Sequence, residues 1–187
     1  MAVAFVAMAW AADTGSRADA DALQQKLFQI ATNGLAEKPV KRNTPVSERE
    51  LNAYLQAHAQ ESLPAGVVDP SVTILPDGRL TGQATVDLDA VRTSKERGML
   101  SPWTLLRGRL PVEATGILRT GNGVGAFTLE SASVGGVPVP KSVLEELVSY
   151  YSKRPDQADG VNFEAPFRLP ARIREIQTTL GRALVVQ

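Results

Sequence analysis

Residues 80–90, LTGQATVDLDA, alternate in polarity almost without error. Leu80, Gly82, Ala84, Val86 and Leu88 fall on one side, and Thr81, Gln83, Thr85, Asp87 and Asp89 on the other. A period of two is that of a half-buried β-strand with one dry face. The pattern predicts a strand over Arg79–Val91, preceded by a strand over Val68–Leu75 and the turn Pro76-Asp77-Gly78. It returns over Arg109–Arg119, where Leu110, Val112, Ala114, Gly116 and Leu118 share a face. Thr120–Gly123 has hairpin-turn chemistry and leads to a strand over Val124–Val134. Two last strands are expected, over Phe163–Leu169 and Ile173–Val186, the second interrupted at Gly181.

Helical spacing appears in three places. Ser16 to Thr32 has a stripe of Leu23, Leu27, Ile30 and Ala31, with Ser16 as cap and Asn33-Gly34 as stop. Lys38–Pro45 is extended. Ser47-Glu48-Arg49-Glu50 is a capping box that opens a helix to about Gln60, with Leu51, Tyr54, Leu55 and His58 on one side. Gly135-Gly136 reads as a turn before a helix over Lys141–Ser152, striped by Val143, Leu144, Leu147, Val148 and Tyr151. A polar loop, residues 153–160, follows. Helix, helix, four strands, helix, strands, with no βαβ rhythm, is the order of an α+β fold with an antiparallel sheet. There is more dry strand face than helix to cover it. The expected architecture is a strongly curved antiparallel sheet wrapped around one or more helices, leaving an elongated apolar groove.

The lining expected for that groove is Leu51, Leu55, Leu80, Ala84, Val86, Leu88, Val112, Ala114, Leu118, Phe127, Leu129, Leu144 and Val148. The small residues Gly82, Ala84, Ala114 and Gly116 leave room that large ones would fill. An acyl chain suits such a space: at about 0.8 kcal/mol per methylene, sixteen carbons gain roughly 13 kcal/mol gross, before association and ordering are subtracted. Arg92–Arg109 is long for a strand connection. It carries apolar Met99, Leu100, Trp103, Leu105 and Leu106 between five basic residues and one acid, Glu96. Such a segment suits a gate or a membrane-interface loop, or a plug with Trp103 as core.

Composition narrows the classes. With 187 residues, 43% hydrophobic and 21% charged, the chain is globular. Its 20 basic and 20 acidic residues balance, which gives no global argument for nucleic acid. It has no cysteine, which removes disulfides, cysteine-ligated zinc and thiol nucleophiles. Residues 1–12 end in Ala9-Trp10-Ala11 and read as the back half of a secretory signal peptide without its basic front, leaving 13–187 as one domain, periplasmic or secreted. No nucleotide loop or H-E-x-x-H motif is present. Asp87 and Asp89 belong to a polar strand face. His58, the only histidine, lacks a nucleophile elbow to serve. No cofactor, metal or catalytic residue is expected.

VSERELNAYLQ at 46–56 and LPDGRLTGQATVDLDAV at 75–91 resemble bacterial envelope proteins of the tubular lipid-binding (TULIP-like) kind. VGGVPVPKSVLEEL at 134–147 and the strand region from Phe167 fit the same layout, whereas the insert at 92–108 maps onto no family feature. The resemblance implies a helix inside a curved antiparallel sheet, an apolar tunnel for lipid tails, and no enzymatic activity. The expected function is non-catalytic binding or transport of a lipid or other long apolar ligand in the cell envelope, with a peripheral membrane contact. The competing readings are a structural protein that docks on an envelope complex through a sheet edge or the 92–108 loop, and a hydrolase built on His58.

Overall fold

A computed structural model of the chain describes residues 15–58, 63, 66–87, 108–142 and 165–187. The two helices fully within the described residues begin at capping boxes. In α1, Arg17–Leu35, the Asp19 carboxylate accepts from the Ser16 N–H at 2.7 Å while the Ser16 hydroxyl accepts from the Asp19 N–H at 3.2 Å. In α2, Glu48–Ala57, Ser47 and Glu50 repeat the exchange at 2.9 and 3.2 Å. Asn33-Gly34 does not stop α1. Gly34 lies buried within it, where a β-carbon would stand 2.5 Å from the Ala171 carbonyl oxygen. Glycine serves a close approach of backbones there, not termination.

The strands form two antiparallel sheets. β1, Asn43–Ser47, pairs with the last strand, β9 (Arg182–Val186), which pairs with β8 (Glu175–Thr179). The interruption expected at Gly181 in the 173–186 strand is the turn of a hairpin, at Leu180-Gly181. The large sheet runs β2 (Val67–Ile74), β3 (Arg79–Asp87), β4 (Arg109–Gly121), β5 (Val124–Val134) and β6 (Val137–Pro138), with β7 (Phe167–Arg168) also on β5. The architecture is α+β, and among the described residues the large sheet has six strands and is curved but not closed. Two bulges bend it, one between Val68 and Ser71 and one between Thr115 and Gly116. Pro70 sits in the first, a position where a missing N–H interrupts no ladder. The 3-10 turn Pro76–Gly78 puts Asp77 and Gly78 at φ 60° and 79°, a left-handed pair that reverses the chain between β2 and β3.

α2 covers the outer edge of β2 with side chains. Ile74 N–H donates to Glu48 Oε2 at 2.7 Å. Asn52, buried, accepts from Val72 N–H at 2.7 Å and donates to Val72 C=O at 3.0 Å. Gln56 donates to Pro70 C=O at 2.8 Å. Residues 48, 52 and 56 are one helical turn apart, and 74, 72 and 70 are two strand residues apart. Four helical residues rise about 6 Å and two strand residues about 6.6 Å, so the two periods match over three rungs.

α1 lies on α2 through the Lys26–Glu50 pair at 2.7 Å and the Arg49–Asp19 pair at 2.9 Å. Leu23 and Ile30 of α1 bury with Val46, Leu169, Ile173 and Val185, joined by half-buried Leu51, Tyr54 and Ile176. The two sheets meet at β8: the Thr120 hydroxyl accepts from Ile176 N–H at 2.8 Å and donates to its C=O at 2.9 Å.

Asn52→Leu strips both rungs from Val72 at a buried edge, at about 1–3 kcal/mol for each orphaned group. The urea midpoint is expected to fall by an amount equivalent to about 2 kcal/mol or more. An unchanged midpoint would show that the ladder does not hold the edge.

Candidate functional site

Register places most of the expected groove residues on one face. Across β3 and β4, Leu80 stands opposite Gly116, Gly82 opposite Ala114, Ala84 opposite Val112 and Val86 opposite Leu110. Across β4 and β5, Val112 faces Val134, Ala114 faces Ala132, Gly116 faces Leu129 and Leu118 faces Phe127. Directly opposed residues share a face, so Leu80, Ala84, Val86, Val112, Ala114, Leu118, Phe127 and Leu129 form one apolar surface. Val67, Val72 and Ile74 of β2 extend it through their pairing with Val86, Gly82 and Leu80. Within this surface Ile74, Leu129 and Ala132 are buried, and Leu80, Ala84, Val86, Val112, Ala114, Leu118 and Phe127 are half-buried.

The room above it is uneven. The Phe127 ring lies on Gly116, leaving no space there for a β-carbon. The Phe167 ring lies on Gly125 in the same way, 2.7 Å from where a β-carbon would be. Gly116 therefore does not contribute open space, as its size alone suggested. Gly82 does: a β-carbon built there meets nothing nearer than the Ala114 carbonyl oxygen at 4.0 Å among the described residues. The bare patch is Gly82, Ala84 and Ala114, with two phenyl rings toward the β5–β7 end.

Leu51 stands apart from this surface. It packs into the core of the helices and the small sheet. Leu55, on α2, is half-buried. Leu88, Leu144, Val148 and the loop residues Met99, Leu100, Trp103, Leu105 and Leu106 lie outside the described residues, as do residues 1–12. Phe167, Val67, Val72 and Ile74 were missed: a two-residue strand has no period to read, and the bulge in β2 changes which residues share its inner face.

A concavity of about 780 Å³ opens where α1 starts and α2 ends, lined by Ser16, Arg17, Gln56, His58, Asp69 and Ser71 among others. None of the expected groove residues is among its described lining. His58 Nε2 lies 3.1 Å from Asp21 Oδ1, and its ring packs on Tyr54 at 5.5 Å between centroids. A hydrolase reading requires a hydroxyl at that ring. Among the described residues its hydrogen-bond partner is the Asp21 carboxylate. No group of three or more His, Asp or Glu among the described residues is placed to hold a metal ion. No described helix is long and apolar enough to cross a membrane.

The opposite face of the sheet is polar and paired in register. The Thr81 and Thr115 hydroxyls meet at 2.9 Å, Gln83 donates to Glu113 at 2.7 Å, and Arg109 Nε donates to Asp87 at 3.1 Å. Asp87 is thus a polar-face ion-pair residue, and Arg109, read with the basic flank of the 92–108 loop, is its partner. Asp89 lies outside the described residues. The docking alternative uses an open sheet edge or the 92–108 loop, and of that loop residues 92–107 lie outside the described residues. The outer edge of β2 is not open, because α2 occupies it.

No family model matches the chain, and no curated protein matches it. Among solved structures it is similar to a lipopolysaccharide binding protein, at 16% identity and a TM-score of 0.24 over 78% of this chain and 40% of the other. The chain thus spans well under half the length of that protein.

Hydrogen bonds from the Ser16 hydroxyl and N–H, with the Arg49 guanidinium beside them, lower the Asp19 pKa from 3.8 to about 2. Burial works against the Glu50 carboxylate, but Lys26 and the Ser47 N–H and hydroxyl outweigh it and hold the pKa below 4.5. Both are depressed in the fold, so their contribution is present above pH 4.5 and is lost as pH falls. Acid titration followed by circular dichroism is expected to show stability falling between pH 4 and 2. Asp19→Asn should flatten that slope; a slope unchanged in this variant would place the acid sensitivity elsewhere.

Proposed function

We propose that this protein binds a lipid or another long apolar molecule along the apolar face of its large sheet, and carries or presents it in the cell envelope without catalysis. The observation behind the proposal is a surface of apolar side chains from β2, β3, β4 and β5, most of which remain half-buried, around the open position at Gly82. A sheet face made for a solid core would bury those side chains, since each fully covered Leu or Val gains about 1.5–3 kcal/mol. The face holds no fixed charge: the ionic and hydroxyl pairs of these strands lie on the other side. The recognition it offers is of length and thickness, which is the recognition an acyl chain needs. The same function follows from the resemblance of residues 46–56 and 75–91 to tubular lipid-binding envelope proteins. Export follows from the signal-like residues 1–12.

The test uses the whole protein purified from an envelope fraction. Solvent extracts and native mass spectra are expected to contain a co-purified apolar compound, and the delipidated protein is expected to bind a fluorescent fatty acid that palmitate displaces. Gly82→Leu and Ala114→Leu fill the bare patch and should weaken that binding at least ten-fold, about the loss expected from excluding two methylenes. Gln83→Ala, on the polar face, should leave it unchanged. No bound lipid and no fatty-acid binding, or equal binding by all four proteins, would overturn the reading.

A further inference from the structure

A second apolar surface lies on the solvent side of α1. Phe28 and Leu35 are 72% and 86% exposed, large side chains at the positions where water reaches most easily. They are seven residues apart and therefore fall within about 20° of one line along the helix. Leu23, Ile30 and Gly34 hold the other side of α1 against the core, so the helix cannot roll to bury them.

The segment after α1 folds back against an adjoining face of the helix, where Gln29 and Asn33 lie about 100° and 140° round the axis from Phe28. Asn33 donates to Val40 C=O at 2.9 Å and accepts from Val40 N–H at 3.0 Å. Arg42 donates to Gln29 at 3.3 Å. These bonds fix Val40, 63% exposed, beside the last turns of α1. They also deliver cations to the same end. Lys38 and Lys41 are exposed, and neither has a carboxylate partner among the described residues. Arg42 lies along the helix, and Arg172 reaches the Ala36 carbonyl oxygen at 3.3 Å. Between residues 36 and 42 the one acid is Glu37. The acids of α1, Asp19 and Asp21, stand at its other end.

We infer that this stretch of α1 is a docking surface for an anionic lipid membrane, with Phe28 and Leu35 entering the interface and Lys38, Lys41, Arg42 and Arg172, on the flanks of the helix, meeting the headgroup charges. Apolar side chains ringed by basic residues on a rigid support are the chemistry of peripheral attachment: burial supplies part of the affinity, and each Lys or Arg near an anionic surface supplies about a five-fold gain. The charge selects the partner. A second copy of this surface would bring like charges together, whereas an anionic bilayer complements them. The inference does not depend on the large sheet holding a ligand.

The experiment is sedimentation with vesicles of phosphatidylcholine alone or with 30 mol% phosphatidylglycerol. The wild-type protein is expected to bind the anionic vesicles and to be released as salt rises. Lys38→Glu with Lys41→Glu should weaken binding at least twenty-fold. Phe28→Ser with Leu35→Ser should abolish it, with the circular dichroism spectrum and fatty-acid binding retained, because all four positions are exposed. Equal binding to both vesicle types, no binding to either, or variants that bind as the wild type would overturn the inference. So would a wild-type dimer in light scattering that Phe28→Ser dissolves, which would make a second copy the occupant. Loss of fatty-acid binding in Gly82→Leu with vesicle binding intact would separate the two surfaces.

Discussion

Three polar side chains of α2 hold the outer edge of β2, and much of the arrangement follows from that contact. Glu48, Asn52 and Gln56 succeed each other every turn of the helix, and the backbone groups of Ile74, Val72 and Pro70 succeed each other every second strand residue. A helix and a strand agree in spacing only when the helix runs alongside the strand edge, so the ladder fixes direction as well as position. It places α2 beside the large sheet and leaves the other side of α2 to meet α1 through Lys26–Glu50 and Arg49–Asp19. It also closes an edge that would otherwise recruit another strand.

Much of this was legible in the sequence because it is local or periodic. The cap at Ser16, the capping box at Ser47, the turn at Pro76–Gly78 and the alternation of Arg79–Asp87 and Arg109–Arg119 depend on neighbours within a few residues, and the structure has them. What could not be read depends on partners distant in the chain. Gly34 reads as a helix stop until Ala171 is known to lie against it. Leu51 reads as groove lining until it is found packing against a core to which α1 and β9 contribute from opposite ends of the chain. Gly116 reads as open space until Phe127 is seen lying on it. The half of the site carried by β3, β4 and β5 was readable because a period of two plus a hairpin turn sets the register.

The two cores differ in kind. The one under α1 brings Leu23, Ile30, Val46, Ile173 and Val185 to near-complete burial and joins residues far apart in the chain. The one on the large sheet buries Leu129 and Ala132 and leaves most of its face half-covered. Rigidity belongs to the first and capacity to the second. The Thr120 hydroxyl, bonded to both backbone groups of Ile176, joins the two bodies. Cross-strand pairs such as Thr81–Thr115 and Gln83–Glu113 brace the sheet from its wet side.

The phenyl rings of Phe127 and Phe167, resting on Gly116 and Gly125, make the dry side unsymmetrical. One terminus of the strip is floored with flat aromatic carbon, while around Gly82 the floor is naked main chain. On the function proposed above, a linear guest laid along such a strip would meet unlike surroundings at its head and its tail, and one sense of travel would be favoured over the reverse.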